Sequence, residues 1–247
     1  MKKINLFLLS YILFNITARS QVYQLPNGDF EKWTCSKQEE PDNWNTFSSA
    51  QCDLSFPASL GCGTVRSVRH ERSRDVRPGT AGSFSCKIYA TKAFNHIANG
   101  SVTTGRIRVG STDINSHENF VITLRDKSDF NQIFSGKPDS IRFWVKFQCP
   151  SSVQEARMNA IIHDDYDFKD SHILNEELLN HIVGIASLDF NRENQEWEQY
   201  SVPFNYNYPA NNPAYILVTF STNKEPGKGS VNDILFIDDI ELLYNED

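Results

Sequence analysis

The chain has 247 residues, with 31 acidic against 24 basic side chains, a formal charge of −7 and 12% aromatic residues. An acidic surface repels phosphate backbones and argues against nucleic acid as a partner. The aromatic content argues against disorder and suffices for a packed core.

Residues 1–20 read as a secretory signal: Lys2 and Lys3 open it, residues 6–16 are apolar, and Ala18 and Ser20 give a small-residue cleavage pattern before Gln21. Loss of Lys2, Lys3 and Arg19 with that segment takes the charge from −7 to −10. No later stretch is long and apolar enough for a transmembrane helix. The expected product is exported, to the periplasm, the cell surface or the medium, and residues 21–247 suit one large all-β domain. Export permits disulfides, and the five cysteines are Cys35, Cys52, Cys62, Cys86 and Cys149. Pairing among Cys35, Cys52 and Cys62 is plausible, and no CxxC pair suggests structural zinc.

In chain order, residues 21–33 read as a short strand and a turn. Residues 41–82, rich in Ser, Cys, Gly, Pro and Arg, read as a long ordered excursion, a kind of segment often tied to function. Period-two alternation then marks strands over residues 84–90, 105–109, 119–124, 139–148, 155–163, 182–190, 197–204 and 215–221. In residues 139–148, Ile141, Phe143, Val145 and Phe147 share one face, and Arg142, Trp144 and Lys146 the other. A short helix is expected within residues 171–181, with Ile173, Leu174, Leu178 and Leu179 on one side. The last strand, residues 234–244, is apolar except for Asp238-Asp239 and Glu241. A carboxylate there needs a cation or convergent donors, and the acidic turn at residues 28–31 is a candidate neighbour, so the termini are expected to meet. About ten strands with one or two short helices predict an all-β jelly-roll sandwich.

Several pieces carry a family resemblance: LPNGDFEKW (residues 25–33), residues 41–44, Thr104-Gly105, residues 136–141, Lys146, and Gly229-Ser230 followed by residues 235–244. In this order they resemble the bacterial family named the putative carbohydrate metabolism domain, across nearly the whole mature chain. The resemblance implies a jelly-roll fold like that of carbohydrate-binding modules and a part in glycan use by surface-living bacteria. Lipidated members carry cysteine at the cleavage point; Gln21 departs from that, so no lipid anchor is expected.

Four groups of residues are candidate sites. Asp29, Glu31, Asp238 and Asp239 would hold a structural calcium between the N-terminal turn and the last strand, as similar jelly-roll modules do; the alternative is that they cap turns and accept backbone N–H bonds. Trp144 between Arg142 and Lys146 would stack on a sugar ring while the cations donate to hydroxyls or a uronate, or else Trp144 packs as core. Tyr206 and Tyr208, with Tyr200, Phe204, Asn205, Asn207, Asn211 and Asn212, offer stacking and adaptable hydrogen bonding on a loop, or a rigid turn on the sandwich edge. His163, Asp164, Asp165, Tyr166 and Asp167, with Asp170 and His172, suit a transition metal or a solvated loop.

Gly-x-Ser-x-Gly and His-Glu-x-x-His are absent from the sequence. The leading expectation is a non-catalytic module binding a polysaccharide or oligosaccharide. The alternatives are a glycoside hydrolase, whose paired carboxylates only three dimensions can reveal, and an adhesion domain with a protein partner at the cell surface.

Overall fold

A computed structural model describes residues 23–34, 39–93, 96–150, 154–171, 175–191 and 195–245. Residues 1–20, expected to be a secretory signal, and Cys35, His172, Ile173 and Leu174 lie outside them. The described residues form fifteen strands: β1 (Gln51–Cys52), β2 (His70–Ser73), β3 (Ser85–Tyr89), β4 (Thr91–Ala93), β5 (His96–Ala98), β6 (Ser101–Thr103), β7 (Arg106–Val109), β8 (Asn119–Ile122), β9 (Ser140–Gln148), β10 (Glu155–His163), β11 (Lys169–Asp170), β12 (Ile182–Asn191), β13 (Glu198–Pro203), β14 (Tyr215–Ser221) and β15 (Ile234–Leu243). Two one-turn helices, α1 (Cys62–Val65) and α2 (Glu176–Leu179), join them. Nine of the strands match expected segments; the other six, β1, β2, β4, β5, β6 and β11, have two to four residues each, too short to display a period.

Two antiparallel sheets face each other, one of five strands in the order β13-β9-β15-β3-β2 and one of four in the order β12-β10-β14-β6. Alternation along β9 sends Ile141, Phe143, Val145 and Phe147 inward, against Ala156, Met158, Ala160 and Ile162 of β10 and Ile216, Val218 and Phe220 of β14. Phe143 meets Phe220 edge-on at 5.2 Å across the two sheets. The all-β sandwich expected from the alternation is therefore present.

The four-stranded sheet is also covered outside. Ile161, Phe168, Leu178, Ile182 and Leu217 form a second cluster beneath α2 and a small sheet ordered β1-β7-β8-β11. This third layer explains why β10 and β14 carry apolar residues on both faces. The helix expected over residues 171–181 shortens to α2, capped by the Asn175 side chain accepting from the Leu178 N–H.

The 41–82 excursion runs around the edge of the five-stranded sheet, with a Cys52–Cys62 disulfide closing one loop. Cys86 is a buried free thiol, and Cys149 is also buried. Arg69, buried in this excursion, donates to the Val65, Thr64 and Asn99 carbonyls at 2.8, 3.3 and 3.2 Å, which ties the irregular backbone down.

Of the short strand and turn expected over residues 21–33, the turn is present and the described residues 23–33 hold no strand. The reason is packing. Pairing of β15 with β3 stops at Ile237, and the N-terminal segment takes over that side: the Ile240 N–H donates to the Gly28 carbonyl at 2.9 Å, and the Gln24 amide bonds both backbone groups of Leu242 at 2.6 and 2.8 Å. A Cβ on Gly28 would lie 2.5 Å from the Ile240 carbonyl oxygen, so only glycine allows this approach. Phe30 is fully buried 5.2 Å from the Trp44 ring, and the Trp33 indole donates to the Phe30 carbonyl at 2.6 Å. The termini meet, as their sequences suggest.

At this junction β15 is bulged. Its register against β9 shifts between Asp238 and Glu241, and Asp239 adopts a left-handed φ of 45°. Asp238, 1% exposed, accepts from its neighbour's N–H at 2.9 Å and, at 3.4 Å, from that of Arg77. Burial, and then the charge of Asp239, push its pKa up to about 7.

Two outcomes follow from this junction. Gly28→Ala is expected to cost about 1–3 kcal/mol of stability, seen as a lower urea midpoint. In the fold, Asp238 keeps between about pH 4 and 7 a proton that the unfolded chain releases, so its contribution to stability falls as pH rises through that window and is flat above it. Asp238→Asn is expected to remove that part of the slope and to gain roughly 1–3 kcal/mol at pH 8. Thermal melts of the two proteins with parallel pH profiles would contradict it.

Candidate functional site

The alternation that buries Phe143 and Val145 sends Arg142, Trp144 and Lys146 to the outward face of the five-stranded sheet. Across the ladder Trp144 stands between Gln199 of β13 and Asp238 of β15, and Arg142 between Ser201 and Glu241. Lys146 stands beside Phe236, its ammonium 5.5 Å from the ring centre. An open cleft of about 540 Å³ lies on this face. Arg142, Trp144 and Gln199 line it together with Asp239 and Glu241 from the bulged end of β15, Asp29 from the N-terminal turn, and Arg77 from the excursion.

The excursion furnishes one wall. The Arg77 guanidinium sits 5.3 Å from the Trp144 ring centre and donates through Nε to Asp239 at 2.5 Å. Nearby, the Asp75 carboxylate accepts from Lys146 Nζ at 2.7 Å and from the Trp197 indole at 3.0 Å. Arg142 pairs with Glu241. A half-buried indole thus lies in an open cleft among paired donors and acceptors, an arrangement that offers both an apolar platform and hydrogen bonds.

The four acids expected at a calcium site are differently placed. Glu31 Oε1 accepts from the Ser83 and Phe84 N–H groups at 2.7 and 2.9 Å. Asp238 is enclosed, Asp239 is engaged by Arg77, and Asp29 stands exposed on the cleft rim. Among the described residues no three His, Cys, Asp or Glu side chains are grouped to hold a metal ion. As placed, this donor set is not grouped for calcium; Glu31 and Asp238 accept backbone N–H groups, as in the alternative, and Asp239 is in an ion pair.

The tyrosine stretch lies away from the cleft. The Tyr206 hydroxyl donates to the Pro138 carbonyl at 2.6 Å, and its ring covers Gly184, where a Cβ would come within 2.6 Å of it. Tyr208 packs on the second cluster, and Tyr200 on Phe143 at 6.0 Å and on Phe190 at 5.6 Å. These residues build the fold's edge.

The His163 group is likewise dispersed. His163 is fully buried between Phe168 and Tyr215, with Thr123 on Nε2 at 2.9 Å and the Asp164 carbonyl on Nδ1 at 2.9 Å. Burial lowers its pKa to about 4. Asp164 pairs with His181, Asp165 and Asp167 with Arg125, and Asp170 with Asn159. Arg77, Gln199 and Glu241 are among the cleft residues that the sequence reading missed, with Gln24 and Asn27. Glu241 shows a period-two signal, but Arg77 lies 162 residues from its partner and shows none.

No family model matches the chain, so none supports the family resemblance drawn from its sequence, and no curated protein matches it. Solved structures do. A candidate glycoside hydrolase from Bacteroides thetaiotaomicron superposes with a TM-score of 0.61 at 15% identity, over 89% of this chain and 71% of that one. Another, from Bacteroides vulgatus, gives 0.55 at 17% identity over 91% and 95%. A carbohydrate-binding module of the β-sandwich superfamily gives 0.41 at 7% identity over 87% and 62%, a likeness too distant to argue from. At these identities the first two establish the fold the chain shares with them.

Proposed function

We propose that the chain is an exported, non-catalytic glycan-binding module that captures or presents a polysaccharide. The observation that carries this reading is Trp144, set in an open cleft of about 540 Å³ among hydrogen-bonding side chains. A sugar ring has an apolar C–H face and a rim of hydroxyls, and this cleft matches both. Export rests on the leader-like residues 1–20; no described helix is long and apolar enough to cross a membrane.

A hydrolase reading draws on three carboxylates around the same cleft, those of Asp29, Asp239 and Glu241. Against it, the carboxyl that keeps its proton to about pH 7, Asp238, is only 1% exposed, whereas a general acid must reach the leaving group. An adhesion reading draws on Phe56 and Leu60, 80% and 79% exposed on the loop closed by Cys52–Cys62.

Affinity gels with a wide set of soluble polysaccharides, with assays for released reducing ends, separate these readings. The expected result is retardation without release. Trp144→Ala should weaken binding at least tenfold, about 1.4 kcal/mol. Tyr206→Phe, which loses the bond to Pro138, should cost about 1 kcal/mol of stability and leave binding unchanged. Time-dependent release would favour the hydrolase; neither retardation nor release from a folded protein would favour adhesion.

A further inference from the structure

The charges on this face are arranged in a way that bears on which glycan it takes. Four cations lie on or over the outward side of the five-stranded sheet at its centre, and each already has its carboxylate. Arg77 pairs with Asp239, Arg142 with Glu241, Lys146 with Asp75 and Lys87 with Glu71. These partners come from different elements: the bulged β15, the excursion and the edge strand β2. Asp29, on the rim of the cleft, adds a further acid, with no ion-pair partner among the described residues. The cleft lining therefore carries two guanidinium groups and three carboxylates.

We infer that the cleft is built for a neutral glycan and discriminates against uronate-bearing or sulfated ones; this rests on the glycan-binding reading above. A uronate needs an available guanidinium or ammonium. Here it would either displace Asp239 or Glu241 from its partner or share that guanidinium and lie beside the resident carboxylate, like charge against like, at a cost. The chain's charge of −7 adds long-range repulsion. Neutral vicinal hydroxyls face no such conflict. Each pair uses only part of its capacity: a guanidinium has five N–H groups and a carboxylate about four lone-pair sites. One hydroxyl can accept from Arg77 or Arg142 while its neighbour donates to Asp239 or Glu241. The exposed Gln199 amide, across the ladder from Trp144, adds a neutral donor and acceptor.

The test is affinity electrophoresis of the whole protein in gels containing galactomannan, hydroxyethyl cellulose, polygalacturonate or alginate, at low and at ~0.2 M salt. The wild type is expected to be retarded by at least one neutral polymer, insensitively to salt, and by neither polyuronate. The double variant Asp239→Asn, Glu241→Gln releases both guanidinium groups, and asparagine tolerates the left-handed backbone at position 239. It should gain retardation on polygalacturonate that the higher salt abolishes, and lose several-fold in affinity for the neutral polymer. Wild-type retardation by a polyuronate as strong as by any neutral polymer would overturn the inference and leave the glycan-binding reading standing. A folded double variant with no gain on polygalacturonate would do the same. Retardation by no polymer of either class would remove both together.

Discussion

The structure depends on how its last strand is shared. Up to Ile237, β15 has β3 on one side and β9 on the other; beyond it, the N-terminal turn replaces β3 through the Ile240–Gly28 and Leu242–Gln24 hydrogen bonds. The change of neighbour coincides with the bulge, because the ladder that served a regular strand ends where the turn begins. The extra residue lets Ile240 and Leu242 return to the core while Asp238 and Asp239 both engage Arg77. A regular strand would have sent the two aspartates to opposite faces. The closure that completes the sandwich also brings Asp29, Asp239 and Glu241 to the cleft.

The remaining site chemistry follows from two features. Strand β9 carries a strict apolar row inward, which leaves its other row free to be Arg142, Trp144 and Lys146. The excursion then supplies Asp75 and Arg77 above that row. Its irregular path is held by long-range contacts, such as Arg69 on three backbone carbonyls and the Cys52–Cys62 bridge, and not by repeating secondary structure. Each cation on the face has been given a partner from another segment, so the same pairs that hold the excursion to the sheet also set the electrostatics of the cleft.

What was legible in the sequence is what a local period can encode. Strands β10 and β14 fall at the expected residues, and β9 shows its two faces openly. The LPNGDFEKW turn was legible as a neighbour for the last strand because an Asp-Asp pair in an apolar strand is costly unless something receives it. The excursion's route was not legible, since Arg77 meets Asp239 across 162 residues with no spacing rule. The third layer was hidden too. Tyr206 and Tyr208 read as a platform, but whether an aromatic faces solvent or a neighbouring layer is decided by packing that no local pattern carries. The four acids read together as a calcium set by likeness to similar jelly-roll modules; in the fold backbone N–H groups reach Glu31 and Asp238, and the Arg77 side chain reaches Asp239.

The most direct measurement follows the four tryptophan indole N–H resonances while a neutral oligosaccharide identified by the affinity gels is titrated in. Trp33 and Trp44 are buried and bonded to backbone carbonyls, Trp197 is bonded to Asp75, and Trp144 lines the cleft. The Trp144 signal is expected to move most, in proportion to occupancy, with those of Trp33 and Trp44 unmoved. Saturable binding that leaves Trp144 unshifted would place the ligand elsewhere and contradict the assignment of the cleft.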